Sequence, residues 1–388
     1  MGIEVMIASR GEFSLVSEVH DGLHINLDDL QSAYEKIIKQ ANKTPFNGIL
    51  GCDDSTVELA AKVAHKLRLP HNPPAAARLT YRKDLARSQL TKAHCSVPAH
   101  FLLDLELSLD QQMTILPWPC VIKPINMSAS RGVIRANNAV EFKQACARIK
   151  QIIALSTSPF EQTHVLVEQY IDGIEVAYEG FLHQGKLTTL TLFDKPDPLK
   201  GPYFAETIYV TPSQLNKNTQ QLIKKRVKEA TDAYGLCTGP IHAELRIDQQ
   251  DAWILEVASR SIGGDCARTL DNGNDFNIEQ LIISLAMGQP IKLQLTKEAR
   301  GVMMIPVTEA GILKRVEGLS AARQIKNIAK VDIIAREGHE LIPLPEGNQY
   351  PGYIFSKGST ANEVITALRT AYAQLKLVVA PVFNIKAS

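Results

Sequence analysis

Two neighbouring stretches, IHAELRID (241–248) and WILEVASR (253–260), decide the fold prediction. Both are apolar strands, and the short polar turn between them predicts that they pair. Each carries one acidic residue among apolar neighbours, Glu244 in the first and Glu256 in the second. Burying two carboxylates on one face is costly unless a cation lies between them, and Mg²⁺ on a nucleotide phosphate takes one or two carboxylate ligands. A structural Glu–Arg pair across the strands is the alternative.

The chain continues from the second strand into RSIGGDCARTL (260–270). A Gly-Gly turn allows a substrate to approach the backbone, and Arg260 can grip a carboxylate or an acyl phosphate with two hydrogen bonds. A plain glycine-rich turn is the alternative. His242 alternates with Glu244 and so shares its face of the strand, where it is either a catalytic base or a hydrogen-bonded sheet histidine.

A lysine stands near the end of an earlier apolar strand, VIKP (121–124), just before the loop MSASRG (127–132). The ammonium of Lys123 and the backbone N–H groups of a small-residue loop suit a phosphate group. The alternative is a surface lysine before an ordinary turn.

A glutamate near the end of the strand VLVEQYI (165–171) gives a further candidate site. Glu168, the backbone after it and Glu175 can offer acceptors and donors to a purine edge and to ribose hydroxyls. Acidic residues in an exposed turn are the alternative.

Composition excludes several classes of protein. The 388 residues carry 42 Lys plus Arg against 41 Asp plus Glu, which argues against a surface that binds nucleic acid or anionic membrane throughout. No apolar run reaches the ~18 residues of a membrane span, and the N-terminus lacks the basic leader of a signal peptide. The six cysteines lie far apart, which favours reduced thiols and a cytoplasmic location. The P-loop, GxGxxG, HExxH and GxSxG motifs are all absent.

Taken in order, these motifs resemble the ATP-grasp superfamily of ATP-dependent ligases. The resemblance covers about residues 80–290 and begins with YRKDLARSQL (81–90). The stretch DKPDPLKGPYFAETIYVTPS (194–213) and the last hundred residues are similar to the branch of L-amino-acid ligases and carnosine-synthase-like proteins.

The resemblance implies a role for each site residue. Lys83 and Lys123 would bind ATP phosphates, under a loop that includes Ser128, Ser130 and Gly132. The adenosine would contact Glu168, Gln169, Ile171 and Glu175, and Mg²⁺ would bind Glu244 and Glu256. Arg260 would steady an acyl phosphate, with Lys123 as the second catalytic residue, and the acceptor would contact His242, Arg260, Ser261, Gly263 and Gly264.

The implied fold is α/β and α+β in several domains. A small parallel α/β domain (1–75), built on strands at 3–9 and 46–53, would precede the ATP-grasp domain (76–290), whose lid is about 110–190; a separate α+β domain (291–388) would follow. Two features depart from the family. By comparison with the family, the N-terminal domain is expected to lack a first strand and helix, and Ala258 replaces an Asn that often completes a second Mg²⁺ site.

The implied function is activation of a carboxylate by Mg-ATP as an acyl phosphate, followed by attack of an amine and release of ADP and phosphate. The partners would be small carboxylates and amines, without nucleic acid or membrane, and a homodimer is left open. The alternatives are an ATP-grasp enzyme that acts on a purine precursor or carboxyphosphate, and a nucleotide-binding protein that has lost its catalytic cycle.

Overall fold

The structure, a computed structural model, describes residues 2–11, 22–113, 118–271, 277–291, 293 and 297–382. The strands that these residues form are β1 (Ile7–Arg10), β2 (Gly22–Ile25), β3 (His100–Asp104), β4 (Cys120–Pro124), β5 (Ile134–Ala136), β6 (His164–Gln169), β7 (Ile174–His183), β8 (Lys186–Asp194), β9 (Ile208–Thr211), β10 (Gly239–Ile247), β11 (Ala252–Ala258), β12 (Ala299–Met304), β13 (Gly311–Glu317), β14 (Ile328–Ile333), β15 (Glu340–Leu341), β16 (Gly352–Gly358) and β17 (Lys376–Ala380). The α-helices are α1 (Leu30–Lys43), α2 (Val57–Leu67), α3 (Pro74–Leu79), α4 (Lys83–Lys92), α5 (Leu109–Gln112), α6 (Ala139–Ile153), α7 (Pro159–Thr163), α8 (Lys217–Tyr234), α9 (Ile278–Ala286), α10 (Leu319–Gln324) and α11 (Ala361–Tyr372), and a 3₁₀-helix covers Cys266–Leu270.

The N-terminal region has a parallel strand pair, but not the pair predicted from the sequence. β1 pairs with β2, and the predicted strand at 46–53 is wrong because that segment is a loop. Phe46 and Ile49 both pack against the small core under α1 and α2. Their spacing of three residues differs from the two-residue alternation of a strand with one buried face. Gly51 explains part of the loop path, since a Cβ there would lie 2.8 Å from the backbone of Val57.

A four-stranded sheet in the order β3–β6–β4–β5 forms the small lobe. Its core lies between the sheet and α6, around Phe142, Ile149 and Val167. Helix α6 starts directly after Asn138, whose side chain accepts hydrogen bonds from two backbone N–H groups of the first turn. The predicted lid limits of 110–190 differ from this lobe at both ends. β3 lies before residue 110, and β7 and β8 belong to the larger sheet.

The larger sheet has eight strands in the order β11–β10–β7–β8–β9–β12–β16–β14. Helix α8 covers β7, β10 and β11 with the apolar face of Ile223, Val227 and Ala230. Helix α11 covers the other end of the sheet through Val364 and Leu368. This sheet places β10, which carries Glu244, between β11, which carries Glu256, and β7, and the site uses this geometry.

The C-terminal region does not form a separate sheet layer throughout. β12, β14 and β16 continue the eight-stranded sheet, whereas β13, β15 and β17 form a three-stranded sheet of their own. The domain boundary expected near residue 290 stays a prediction, and the pairing of β9 with β12 runs across it.

Candidate active site

A single cavity of about 930 Å³ collects the residues singled out from the sequence. All of them line it except Gly132: Lys83, Lys123, Ser128, Ser130, Glu168, Gln169, Ile171, Glu175, His242, Glu244, Glu256, Arg260, Ser261, Gly263 and Gly264. Gly132 instead donates its N–H to the carbonyl of Pro345 at 2.8 Å. Its φ of +71° places it in the left-handed region, which suits glycine. The cavity therefore unites motifs that are up to 181 positions apart in the sequence.

The deepest charged group in the cavity wall is Glu168, whose two oxygens each meet a cation. Arg87 donates to one oxygen at 2.5 Å, and the ammonium of Lys123 lies 2.6 Å from the other. Burial opposes ionisation of Glu168, but the charges of Arg87 and Lys123 outweigh it and lower the pKa of the carboxyl to about 2. Burial also lowers the pKa of Lys123, and Glu168 works against that shift. The Glu168 side chain is thus already satisfied by protein groups.

The alternation of β10 builds the next part of the site. His242, Glu244 and Arg246 fall on one face of this strand, and their pairing partners on β7 include Glu179 opposite His242 and Glu175 opposite Arg246. Arg246 donates to Glu175 at 2.9 Å. The register between β7 and β10 brings the opposite charges of Glu175 and Arg246 into contact, although the two residues lie far apart in the sequence.

His242 is a hydrogen-bonded sheet histidine. Its Nδ1 lies 2.5 Å from a Glu179 oxygen, and its Nε2 lies 3.6 Å from Glu244. Burial disfavours the charged ring, but the charge and hydrogen bond of Glu179, supported by Glu244, outweigh it and raise the pKa of His242 to about 9. The ring is therefore an imidazolium near pH 7, which carries no free lone pair to accept a proton.

Lys195 forms the centre of a carboxylate cluster that the sequence reasoning missed. Its ammonium donates to Glu175 at 2.8 Å, to Glu244 at 3.0 Å and also to Glu206. The Lys195 side chain is only 3% exposed. Burial would lower the pKa of Lys195, yet the three carboxylates hold it well above its ordinary value. Burial and the charge of Glu244 raise the pKa of Glu206 to about 7.

The donor chemistry of the site fits a divalent cation. Carboxylate oxygens of Glu175, Glu206 and Glu244 lie within 4.8 Å of one another, and Glu244 is the cross-strand partner of Glu256. Such hard oxygen donors are the ligands that Mg²⁺ prefers. Each of the two glutamates expected to bind Mg²⁺ also has an ammonium neighbour: Lys195 for Glu244, and Lys83, at 3.1 Å, for Glu256.

Arg260 contacts the N-terminal region, which the sequence did not indicate. Its Nε and Nη2 donate to the two oxygens of Asp54 at 2.7 and 2.8 Å, and its Nη1 donates to the carbonyl of Ser261 at 2.9 Å. The adjacent Gly263 faces open space, since a Cβ there would have no neighbour within 4 Å.

Four charged residues of the site, Asp54, Arg87, Lys195 and Glu206, had no local signal strong enough to select them. Lys195 and Glu206 do lie within the stretch 194–213 that carries the family resemblance. Their position beside the apolar segments of that stretch was the signal that could have selected them. Arg87 and Asp54 each contact residues far away in the sequence, which no spacing rule reveals.

Comparisons with known proteins bear on this geometry. Residues 116–269 match the ATP-grasp domain family, and residues 303–380 match the L-amino acid ligase C-terminal domain 2 family. The chain is similar to the L-amino acid ligase of Bacillus licheniformis, whose crystal structure superposes with a TM-score of 0.85 at 25% identity over 98% of this chain and 93% of that one. The ATP-grasp fold predicted from the sequence is confirmed.

Curated relatives share less of their length with the chain. An alanine–anticapsin ligase of Bacillus subtilis is 22% identical over 272 residues, which are 66% of this chain and 57% of that ligase. A phosphoribosylamine–glycine ligase of Lactococcus lactis is 24% identical over 83% of each protein. Within the described residues, no helix has the length and apolarity to cross a membrane. The chain thus contains a region similar to the ATP-grasp domain at 116–269 and a region similar to the L-amino acid ligase C-terminal domain 2 at 303–380.

Proposed function

We propose that the protein is an ADP-forming ligase that uses Mg-ATP to join a carboxylate to an amine, with amino acids as the substrate class. The observation that carries the proposal is the composition of the large cavity. It holds two lysines, a cross-strand pair of glutamates and an arginine next to a glycine-rich turn. The matching C-terminal domain favours amino acids over other carboxylates and amines.

Each group in the cavity has a task in such a reaction. Lys83 and Lys123 would neutralise phosphate charge, and Glu244 and Glu256 would hold the Mg²⁺. When bound, Mg-ATP supplies the phosphoryl group that turns an unreactive carboxylate into an acyl phosphate. Arg260 would orient the acid group and stabilise its developing negative charge by two charge-assisted hydrogen bonds. The small lobe would cover the site and exclude water from the activated acid.

The His242 geometry constrains where the proton of the amine goes. Since His242 is held as an imidazolium near pH 7, it is not available to deprotonate the attacking amine. Its proposed role is to hold Glu244 in place through the 3.6 Å contact and to add positive charge at the back of the site.

Glu256→Gln is the sharpest test of this function. The substitution keeps the side-chain shape but removes a proposed metal ligand, and Glu256 is not part of the buried Glu168 cluster. We expect amino-acid-dependent ADP release to fall at least about 100-fold with little change in melting temperature. Glu229→Gln is the matched control, since Glu229 pairs with Arg226 on the surface of α8. Near-normal ADP release from Glu256→Gln would contradict the metal-site assignment.

A second candidate function is supported by the curated relative that, of the two described above, aligns over the larger share of the chain. The phosphoribosylamine–glycine ligase of Lactococcus lactis aligns over 83% of the chain. A substrate screen separates the two candidates. ADP release that depends on pairs of amino acids supports the first, and ADP release that depends on glycine with phosphoribosylamine supports the second. Mg-ATP binding in calorimetry without turnover for any acceptor would support a nucleotide-binding protein without catalysis.

The remaining expectations stay predictions: a cytoplasmic location, small-molecule partners without nucleic acid, and the open question of a homodimer. The number of Mg²⁺ ions is part of the proposal as well. Ala258 offers no ligand atom from its side chain, so the proposal needs only one ion.

A further inference from the structure

The contact between Asp54 and Arg260 joins the N-terminal region to the substrate side of the cavity. Both oxygens of Asp54 accept hydrogen bonds from one edge of the guanidinium, at 2.7 and 2.8 Å. A fork of this kind is among the strongest and most directional contacts between side chains. Both residues line the large cavity, so the pair lies in the reaction space rather than behind it.

Only part of the hydrogen-bonding capacity of Arg260 is used by this contact. A guanidinium has five N–H donors, and Asp54 and the Ser261 carbonyl take three of them. The part of the chain that the structure describes offers no hydrogen-bond acceptor to the other two N–H groups, which are therefore left for an anion in the cavity. The side chains are 17% exposed for Arg260 and 12% for Asp54, so water screens the pair only weakly.

Asp54 itself is held in place by a short turn. The neighbouring Asp53 accepts hydrogen bonds from the Thr56 N–H at 3.1 Å and from the Ser55 hydroxyl at 2.6 Å. Helix α2 begins directly after this turn and packs through Leu59 and Val63 into the N-terminal core. The carboxylate therefore presents a fixed counter-charge to Arg260 from a different part of the chain.

We propose that Asp54 is a positioning residue for catalysis, which fixes the guanidinium of Arg260 so that its two remaining N–H groups face the acid group of the substrate. This inference rests on the proposed ligase function. It also explains why the N-terminal region contacts the glycine-rich turn. The segment of the turn supplies the Arg260 side chain that binds the substrate, and the N-terminal region sets the orientation of that side chain. Asp54 does not contact the substrate in this account.

Asp54→Ala tests the proposal, with formate as a chemical probe. Removing the carboxylate frees the guanidinium of Arg260 to rotate. We expect the resulting misplacement of the guanidinium to cost on the order of 10–100-fold in turnover. We expect kcat for amino-acid-dependent ADP release to fall by that factor while the KM for ATP stays within about twofold. Formate is small enough to replace the missing carboxylate. Added formate should therefore raise the kcat of Asp54→Ala at least about fivefold, which is half of the roughly 10-fold lower limit of the expected loss.

Glu58→Gln is the matched control, because Glu58 lies in α2, pairs with Lys62 at 2.7 Å and does not line the cavity. It should have normal kcat and no response to formate. A normal kcat in Asp54→Ala would overturn the inference. A lowered kcat that formate does not restore, together with a lowered melting temperature, would also overturn it, since Asp54 would then serve only to dock the two regions. Absence of amino-acid-dependent ADP release from the unaltered protein would instead overturn the proposed function, and this inference with it.

Discussion

Substituting Glu168 by Gln should remove a buried charge that stabilises the fold and change how stability depends on pH. The amide would keep the shape of the side chain, but Arg87 and Lys123 would lose the negative charge that lies 2.5 and 2.6 Å from them. Removing one partner of a buried ionic cluster leaves uncompensated charge and costs about 3–5 kcal/mol. We expect the free energy of unfolding at pH 7 to fall by that amount.

The pH dependence follows from the carboxyl pKa. In the folded protein the pKa of Glu168 lies at about 2, below its ordinary value of 4.5. A lowered pKa stabilises the folded state at pH values above 4.5, and that stabilisation is lost as the pH falls towards 2. At about 1.4 kcal/mol for each pH unit between the two values, the whole contribution is about 3 kcal/mol. About 2 kcal/mol of it should be lost between pH 5.5 and pH 3.

Urea unfolding of the unaltered protein and of Glu168→Gln, measured at both pH values, provides the assay. The difference in unfolding free energy between the two proteins should shrink by about 2 kcal/mol on going from pH 5.5 to pH 3, because only the unaltered protein has this carboxylate to protonate. Glu229→Gln, a surface substitution, should show a small difference that does not change with pH. A gap for Glu168→Gln that stays constant across this range, or one below about 1 kcal/mol at pH 7, would refute the account of the cluster.

Three further predictions concern other parts of the cavity. Lys195→Met should lower the free energy of unfolding at pH 7 by about 3–5 kcal/mol. The loss should be smaller at pH 5, because Glu206, whose pKa is raised to about 7, is protonated there. Urea unfolding at the two pH values measures both effects. His242 stabilises the fold below pH 6.5 by about 3 kcal/mol, and this contribution is lost as the pH rises through 9. The unfolding free energy of the unaltered protein should therefore drop by about that amount between pH 6.5 and pH 9.5, and that of His242→Gln should not. Gly263→Ala should leave the melting temperature within about 2 °C, since its Cβ meets nothing within 4 Å, and a raised KM for an amino acid would then report crowding of the substrate.

Much of the site was predictable because strand alternation and motif order are properties of the sequence. The pairing of Glu244 with Glu256 follows from two apolar strands around a short turn, and the structure has that register. Lys123 and Glu168 were both expected to line the nucleotide site, and both line the cavity. Their mutual ion pair was not expected, because it depends on the register between β4 and β6.

The contacts that escaped prediction join residues far apart in the sequence. Arg87 lies 81 positions from Glu168, and Asp54 lies 206 positions from Arg260. Arg87 is one of several charged residues in α4, and nothing local distinguishes it from a solvated side chain. The prediction for the N-terminal region failed for a different reason. The apolar run at 46–53 has the composition of a strand, but the segment is a loop in which Phe46 and Ile49 pack against the core and Leu50 is exposed.

The buried ion pair also changes how one variant should be interpreted. Lys123→Ala would remove a proposed phosphate ligand, but it would also leave Glu168 with one cation instead of two, so lost activity would mix with lost stability. Lys83 is the better choice for testing phosphate binding, because its ammonium contacts the carbonyl of Met127 and the carboxylate of Glu256 outside the Glu168 cluster.

The stoichiometry of the reaction tests the central claim most directly. The unaltered protein would be incubated with Mg-ATP and a mixture of amino acids, with ADP measured by a coupled assay and new amide bonds measured by mass spectrometry. We expect one ADP for each amide bond formed and no ADP above background when the amino acids are left out. ADP release without any amide product, or amide formation accompanied by AMP, would contradict it.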